Sequence, residues 1–125
     1  MKLGFGLLGL LTGLLLVAPA HSAPETYVID TSHSYTHFEV GHLGITAIRG
    51  RFNKTTGKIT LDRAAGSGSI EAEIDASSVS TGHDRRDELL RTESYFNTAK
   101  FPTITYRSGK LHFKGDTLVG ADGEL

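Results

Sequence analysis

Residues 81–91 read TGHDRRDELLR and form the one stretch of the chain whose pattern predicts a helix. Thr81 and Asp84 have the spacing of a capping box, with Asp in place of the usual Glu. Asp84 also puts negative charge in the first turn, where the helix dipole favours it, and Asp87 and Arg91 are an acid-then-base pair four residues apart. We therefore expect a short, capped helix in a chain whose other segments have strand patterns.

The residues that follow predict how this helix meets the rest of the fold. Leu89 and Leu90 are its large apolar residues, enough for one shallow contact with a sheet. Tyr95 and Phe96 are an aromatic pair in an expected tight turn. Pro102 disfavours a helical conformation in the residue before it, so the helix must end earlier.

Most of the remaining chain alternates between apolar and polar residues. The clearest strand is predicted at 69–75, where Ile70, Ala72 and Ile74 alternate with acidic residues. This alternation is typical of a sheet with one buried and one solvated face. Gly50 interrupts the apolar face of another predicted strand, which indicates a bend, a bulge or close approach by another group. The other strands are predicted at 27–30, 34–42, 46–53, 58–62, 103–106, 111–113 and 117–120, and a strand resumes at 122–125, with a possible turn at Asp122-Gly123.

The number and spacing of these strands predict a mainly β fold, either an antiparallel sandwich or a barrel. A barrel is favoured because one helix cannot cover a large open sheet, and closure removes the sheet edges. The last predicted strand ends at Leu125 with no closing element after it. Since an eight-stranded barrel with its turns and a helix needs on the order of 150 residues, we expect a barrel truncated at its C-terminus.

The N-terminus has the pattern of a secretory signal peptide. Lys2 precedes an apolar run at residues 3–17, and the small residues Ala18-Pro-Ala20 follow it directly. A transmembrane anchor is the weaker alternative, because the apolar run is short for spanning a bilayer. We therefore expect export of the protein, with cleavage after Ala20 or Ser22.

Removal of residues 1–20 would leave residues 21–125 as a single domain. The loss of Lys2 reduces 13 Lys and Arg residues to 12, against 14 Asp and Glu residues, for a formal net charge of −2. This charge is too near neutral to predict nucleic acid or an anionic membrane surface as a partner. The chain has no cysteine, so the exported protein has no disulfide to form.

Few residues suggest catalysis or metal binding. There is no HExxH or CxxC motif, and polar surface or strand-end positions are the favoured interpretation of the histidines. There is also no G-x-S-x-G motif and no cysteine nucleophile, so the residues do not predict an enzyme, a metal or a cofactor. The histidines of the mature chain are His33, His37, His42, His83 and His112.

Two sets of motifs resemble the YceI-like family. The first set is Tyr27-Val-Ile-Asp30, His33-Ser34, Phe38-Glu-Val-Gly-His-Leu-Gly44 and Arg49-Gly-Arg-Phe52. The second, which is long and ordered, is Thr81-Gly-His83, Arg86-Asp87, Leu90-Arg91 and Tyr95-Phe-Asn-Thr-Ala-Lys-Phe-Pro102. The resemblance runs from about Tyr27 to Leu125, essentially the whole mature chain. It implies that Leu118 to Leu125 form one strand with a glycine irregularity, and we favour this over the local turn at Asp122-Gly123.

The resemblance implies a fold and a function. It implies a periplasmic, lipocalin-like antiparallel β-barrel whose interior holds a long-chain amphiphile, typically a polyisoprenoid, without catalysing a reaction. Family members continue with further closing strands, which this sequence does not contain. Whether residues 21–125 alone bind a ligand is therefore an open question for the sequence. The alternative is a redox or enzymatic accessory that acts on a quinone-like isoprenoid, and turnover that needs His37 or His42 would favour it.

The apolar strand faces supply the predicted ligand-binding residues. The pattern alone leaves open whether these residues line a cavity or pack as a filled core, and the resemblance favours the cavity. The expected partner is a long-chain lipid, with no nucleic acid and no membrane anchor after cleavage, and a homodimer is one expected assembly. The predicted residues are Phe38, Val40, Ile48, Phe52, Ile59, Ile70, Ile74, Ile104, Tyr106 and Phe113, with Leu61 and Leu111 on the same faces.

Overall fold

The computed structural model describes residues 23–125, so the predicted signal peptide and its two cleavage positions lie outside the described residues. The predicted mainly antiparallel β fold with one short helix is confirmed. No helix in the described range is long and apolar enough to cross a membrane. The elements are β1 (Glu25–Val28), β2 (Thr36–His42), β3 (Thr46–Phe52), β4 (Thr55–Asp62), β5 (Ser67–Asp75), a 3₁₀ turn (Ala76–Ser78), β6 (Val79–Ser80), α1 (Asp84–Arg91), β7 (Thr103–Lys114) and β8 (Thr117–Glu124).

The strands form two antiparallel sheets. One has the order β1-β4-β5-β7-β8, and the other has the order β2-β3-β6. The chain crosses between them at Asn53 and Lys54, whose N–H groups donate to the carbonyl (3.0 Å) and hydroxyl (3.1 Å) oxygens of Ser78.

The expected barrel closure is not observed within residues 23–125. The strand ladders there join β1 and β8 to the first sheet, and β2 and β6 to the second, so all four remain edge strands. The arrangement is nevertheless consistent with a lipocalin-like fold.

A buried hydrophobic cluster lies where α1 covers the junction of the two sheets. Phe52, Ile74 and Val79 are buried there, and Phe38, Leu90, Phe96 and Ile104 pack against them. The rings of Phe38 and Phe52 are 5.5 Å apart between centroids, and those of Phe52 and Phe96 are 5.4 Å apart. These spacings are typical of attractive aromatic contacts, so this cluster joins β2, β3 and the segment after α1.

β5 shows the alternation predicted from its sequence. Ile74 is buried and Ile70 is half-buried, whereas Glu71 and Glu73 are exposed. β5 is the central strand of its sheet, between β4 and β7, and Ile74 belongs to the buried cluster, so the apolar face of β5 faces the interior.

β7 and β8 pair with an irregularity that keeps the apolar residues of β7 on one face. The ladder shifts between Arg107 and Lys110, and such a bulge inserts an extra residue into one strand. β8 continues through Gly123 as one strand, as the family resemblance implies. A Cβ atom at Gly123 would lie 2.5 Å from the carbonyl oxygen of Arg107 and 2.6 Å from the hydroxyl oxygen of Tyr106, so a larger residue would collide with both.

β1 forms two residues earlier than the predicted strand at 27–30, so that prediction is wrong in position. It pairs with β4 from Glu25 to Val28. Asp30 instead opens a turn, in which its carboxylate accepts hydrogen bonds from the N–H (2.9 Å) and hydroxyl (2.6 Å) of Ser32. An Asp side chain that bonds two residues ahead stabilises a turn and ends the strand.

Candidate functional site

An apolar groove lies between the inner face of the β2–β3 hairpin, α1 and the turn after α1. Its volume is about 430 Å³. Binding sites for small molecules are concave, mostly apolar and supplied with a few polar groups, which makes this groove the candidate binding site. Its lining residues are Phe38, Val40, His42, Ile48, Arg86, Leu89, Leu90, Tyr95 and Phe96.

The register of β2 and β3 builds one wall of the groove. Val40 lies opposite Ile48 and Phe38 lies opposite Gly50, so alternate residues of both strands face the groove. Exposure increases along this wall, from 4% at Phe52 to 55% at Val40. The groove is therefore closed at the core and open towards the tip of the hairpin.

Gly50 allows the ring of Phe38 to form the groove floor. A Cβ atom at Gly50 would overlap the Phe38 ring and would lie 2.9 Å from the methyl carbon of Thr81. Of the three alternatives expected at this glycine, a bend, a bulge or a close approach, the structure shows the close approach, and the approaching group is an aromatic ring on the neighbouring strand.

α1 forms the opposite wall. Its N-cap is His83, whose Nδ1 accepts a long hydrogen bond from the Arg86 N–H (3.4 Å). The capping box predicted for Thr81 and Asp84 is therefore wrong, because the helix begins at Asp84 and the Thr81 hydroxyl bonds elsewhere. Leu90 reaches the core, which confirms the predicted contact of α1 with a sheet.

Thr81 connects the buried Asp87 carboxylate to Arg86. Oδ1 of Asp87 accepts hydrogen bonds from the N–H (2.8 Å) and the hydroxyl (2.5 Å) of Thr81. The same hydroxyl oxygen accepts from Nε of Arg86 (2.7 Å), and the Thr81 carbonyl accepts from Nη2 of Arg86 (3.0 Å). Asp87 is only 6% exposed, and these bonds satisfy a carboxylate that would otherwise be costly to bury.

Arg91 attaches the other end of α1 to the chain that precedes it. Its Nε donates to the carbonyl of Ser77 (2.7 Å), and its Nη2 donates to the carbonyl of Val79 (3.0 Å). The predicted ion pair with Asp87 is therefore wrong, since both side chains bond other groups. Arg91 instead fixes the position of α1 against the 3₁₀ turn and β6.

The turn after α1 brings an aromatic side chain to the base of the groove. The N–H of Phe96 donates to the carbonyl of Leu90 (3.0 Å), and Asn97 adopts a positive φ of 47°. Asn tolerates this conformation better than most residues, so the predicted tight turn is confirmed. The Phe96 ring meets those of Phe38 and Phe52 edge-on, at interplanar angles of 73° and 68°.

The structure separates the ten predicted ligand-binding residues into three groups. Phe38, Val40 and Ile48 line the groove. Phe52 and Ile74 are 4% and 5% exposed and lie in the core beneath it, with Ile104 packed against them. The rest do not line this groove and lie on the five-stranded sheet: Ile59 opposite Ile70, Tyr106 opposite Ala72, and Phe113 opposite Leu118.

Several groove residues were missed by the sequence prediction, because it considered strand faces alone. Leu89, Leu90, Tyr95 and Phe96 come from the helix and the turn that follows it. Their signal was present in the sequence as the apolar pair of the helix and the aromatic pair after it. Arg86 carried no such signal, because charged residues on a short helix usually face solvent.

A Ser, a His and an Asp meet in the turn after β1, but their geometry serves the turn. Nδ1 of His33 lies 2.9 Å from the Ser32 hydroxyl and 2.8 Å from the Asp30 carboxylate. A catalytic triad needs one ring nitrogen for the hydroxyl and the other for the carboxylate. Here the hydroxyl of Ser32 and then the ring of His33 lower the pKa of Asp30, and all three side chains are exposed. Across residues 23–125, no three His, Asp or Glu side chains are grouped as metal ligands.

A second depression, of about 360 Å³, lies on the outer face beside β4 and β5. Its walls include Lys54, Glu73 and Asp75, and the Lys54 ammonium lies 3.8 Å from the Asp75 carboxylate. The Ser77 hydroxyl, with its backbone N–H and Lys54, lowers the pKa of Asp75. These charged walls do not suit an apolar ligand, so the groove beside α1 remains the candidate site.

Comparison with known proteins gives one family. The chain is 38% identical over 122 residues to a UPF0312 protein of Shewanella denitrificans, and 32% identical over 115 residues to a UPF0312 protein of Vibrio vulnificus. These alignments cover 95% and 90% of this chain, but 64% and 61% of the two relatives. The chain thus spans less than two thirds of the length of these relatives.

A solved structure gives the same result. The crystal structure of a mutant CJ YCEI protein made for nanotechnology applications superposes with a TM-score of 0.52 at 26% identity, covering 72% of this chain and 53% of that one. The sequence pattern of the YceI-like domain matches residues 27–125. The chain therefore belongs to the YceI-like family.

Proposed function

We propose that this protein is a periplasmic binding protein that carries a long-chain, isoprenoid-type amphiphile with its apolar tail in the groove beside α1. One observation carries this proposal: an open groove of about 430 Å³ whose walls are mainly Phe, Leu, Ile and Val side chains. A monomer rarely leaves such a surface uncovered without a binding purpose. The signal-peptide pattern at residues 1–20 supports the periplasmic location.

The physical basis of the affinity is burial of the tail. Transfer of each CH₂ unit from water to an apolar surface contributes about 0.8 kcal/mol, or roughly a fourfold change in Kd. Ordering of the chain and loss of its free motion oppose this gain. Affinity should therefore increase with chain length until the groove is filled, and it should depend little on salt for an uncharged ligand.

His42 gives a specific reason to retain the second candidate function, a redox or enzymatic accessory for a quinone-like isoprenoid. His42 lines the groove at the exposed end of β2, whereas His37 does not line it. Histidine is a common proton donor and acceptor near neutral pH. Turnover of a quinone-like substrate that requires His42 would favour this function over simple carriage.

Substitution of Val40 by Glu tests the proposal. Val40 is 55% exposed, so the new carboxylate can reach water and the fold should survive. It would still place a charge beside the tail, and we expect a loss of about 1–3 kcal/mol, or roughly fivefold to 150-fold in Kd. Phe52→Glu is less informative, because Phe52 lies in the core and the variant would test folding instead.

Val119→Glu is the matched control. Val119 lies on β8, outside the groove lining. It is 60% exposed, so the control makes the same substitution as Val40→Glu at a position of nearly equal exposure. Binding of a homologous series of long-chain alcohols is measured by calorimetry, with folding checked by circular dichroism. Equal affinity of the wild type and folded Val40→Glu would show that the tail does not occupy this groove.

A further inference from the structure

A charged side chain, Arg86, lines the apolar groove together with Leu89 and Leu90. Arg86 lies one helical turn from Leu90 on α1, so both project from the same face of the helix. We propose that Arg86 binds the head group of the ligand, and that this head group is an oxyanion, a carboxylate or a phosphate monoester. This inference rests on the proposed function, since it names the chemistry of the ligand whose tail the groove holds.

The hydrogen bonds of Arg86 leave donors for a ligand. A guanidinium has five N–H donors. Nε and Nη2 each donate once to Thr81, at 2.7 and 3.0 Å. Among the described residues, Nη1 has no acceptor, so three N–H donors remain. A carboxylate or phosphate accepts two parallel bonds from such a group, which gives an orientation as well as affinity.

The charge of the groove favours an anion over a neutral or cationic head group. The lining contains no carboxylate, and its polar side chains are those of Arg86, His42 and Tyr95. No Asp or Glu oxygen of the described chain lies within ion-pair distance of the Arg86 guanidinium. The nearest candidate, Asp87, directs Oδ1 at the N–H and hydroxyl of Thr81 instead.

The same network holds Arg86 in place before a ligand arrives. The buried Asp87 carboxylate fixes Thr81, and Thr81 accepts two bonds from the guanidinium. A side chain that is already ordered loses little conformational freedom on binding, which increases the affinity for its ligand. Arginine also desolvates more readily than lysine, so its half-buried position beside leucines suits the guanidinium.

The head group can be tested with ligands that share one tail. Decyl phosphate, decanoate, decanol and decyltrimethylammonium are titrated into the protein by calorimetry, below their micelle concentrations. We expect the two oxyanions to bind at least about tenfold more tightly than decanol, because charge-assisted hydrogen bonds are stronger than neutral ones. Decyltrimethylammonium should bind more weakly than decanol. Tighter binding of decyl phosphate than of decanoate would identify a phosphate head group, and the reverse order would identify a carboxylate.

Arg86→Gln should remove the preference for oxyanions while decanol still binds. Arg85→Gln is the matched control, since Arg85 is the exposed neighbour on the same helix, does not line the groove and carries the same charge. If Arg86→Gln does not fold, Arg86→Lys replaces it, and the oxyanion preference should then fall without disappearing.

Each outcome separates the head-group inference from the proposed function. Decanol binding to the wild type as tightly as both oxyanions would overturn the head-group inference and leave the carrier function intact. An equal loss of preference in Arg85→Gln would also overturn it, because general electrostatic attraction would then explain the effect. Failure of all four amphiphiles to bind would refute the carrier function itself.

Discussion

Phe96 allows the strongest test of how the groove is built. Its ring centroid lies 5.4 Å from that of Phe52 and 6.1 Å from that of Phe38, and it packs against the buried cluster. Phe96→Ala removes the ring and leaves the backbone hydrogen bond from its N–H to the Leu90 carbonyl available. The substitution therefore isolates the contribution of one side chain that joins the turn to both strands of the hairpin.

The expected loss follows from the burial and the two ring contacts. Truncation of a fully buried Phe to Ala costs about 3–5 kcal/mol, and Phe96 is only half-buried. Two edge-on aromatic contacts of about 0.5–1.5 kcal/mol each are included in this loss. We expect the free energy of unfolding to fall by about 2–4 kcal/mol, measured by urea denaturation followed by circular dichroism.

Tyr95→Ala is the control in the same turn. Tyr95 is 57% exposed, so its truncation should cost less than about 1 kcal/mol. If the two variants lose the same free energy of unfolding, or if Phe96→Ala is unchanged, the aromatic cluster does not hold the groove together as described.

Two further predictions concern the N-terminus and pH. The exported protein should begin at His21 or Ala23, and an intact mass from periplasmic material that retains residues 1–17 would contradict the signal-peptide prediction. The pKa of Asp75 is lowered in the folded state, chiefly by the Ser77 hydroxyl, so the unfolded state binds more protons and stability should fall as pH drops below about 4. Asp75→Asn should reduce this acid sensitivity in denaturation curves, whereas Glu73→Gln, on the same exposed face of β5, should leave it unchanged.

The sequence predicted those features that depend on local pattern. The alternation of Ile70 and Ile74 with acidic residues defined the inner face of β5. Gly50 indicated a bend, a bulge or a close approach, and the structure shows the close approach. The tight turn at Phe96 was also predicted correctly, because asparagine and the proline that follows act over a few residues. The continuous β8 was implied by the family resemblance, whereas its local pattern allowed a turn at Asp122-Gly123.

Features that depend on tertiary contacts were not predicted. Thr81 matched the capping pattern, but the buried Asp87 uses its hydroxyl and His83 caps the helix instead. Strand alternation identified inward-facing residues such as Ile59 and Phe113 without showing which end of the fold contains the groove. The helix wall could not be found from strand faces, because its position depends on bonds such as that from Arg91 to Val79.

The contact between Gly50 and the Phe38 ring gives a way to redesign ligand size. The glycine has no lining side chain of its own, yet its missing Cβ is what permits the ring to approach the strand so closely. Alanine at this position would push the ring into the groove and shorten the space for a tail, without altering the chemistry of the walls. If the groove holds a tail as proposed, its usable length can therefore be adjusted from behind the groove surface, at a residue that adds no side chain to the lining.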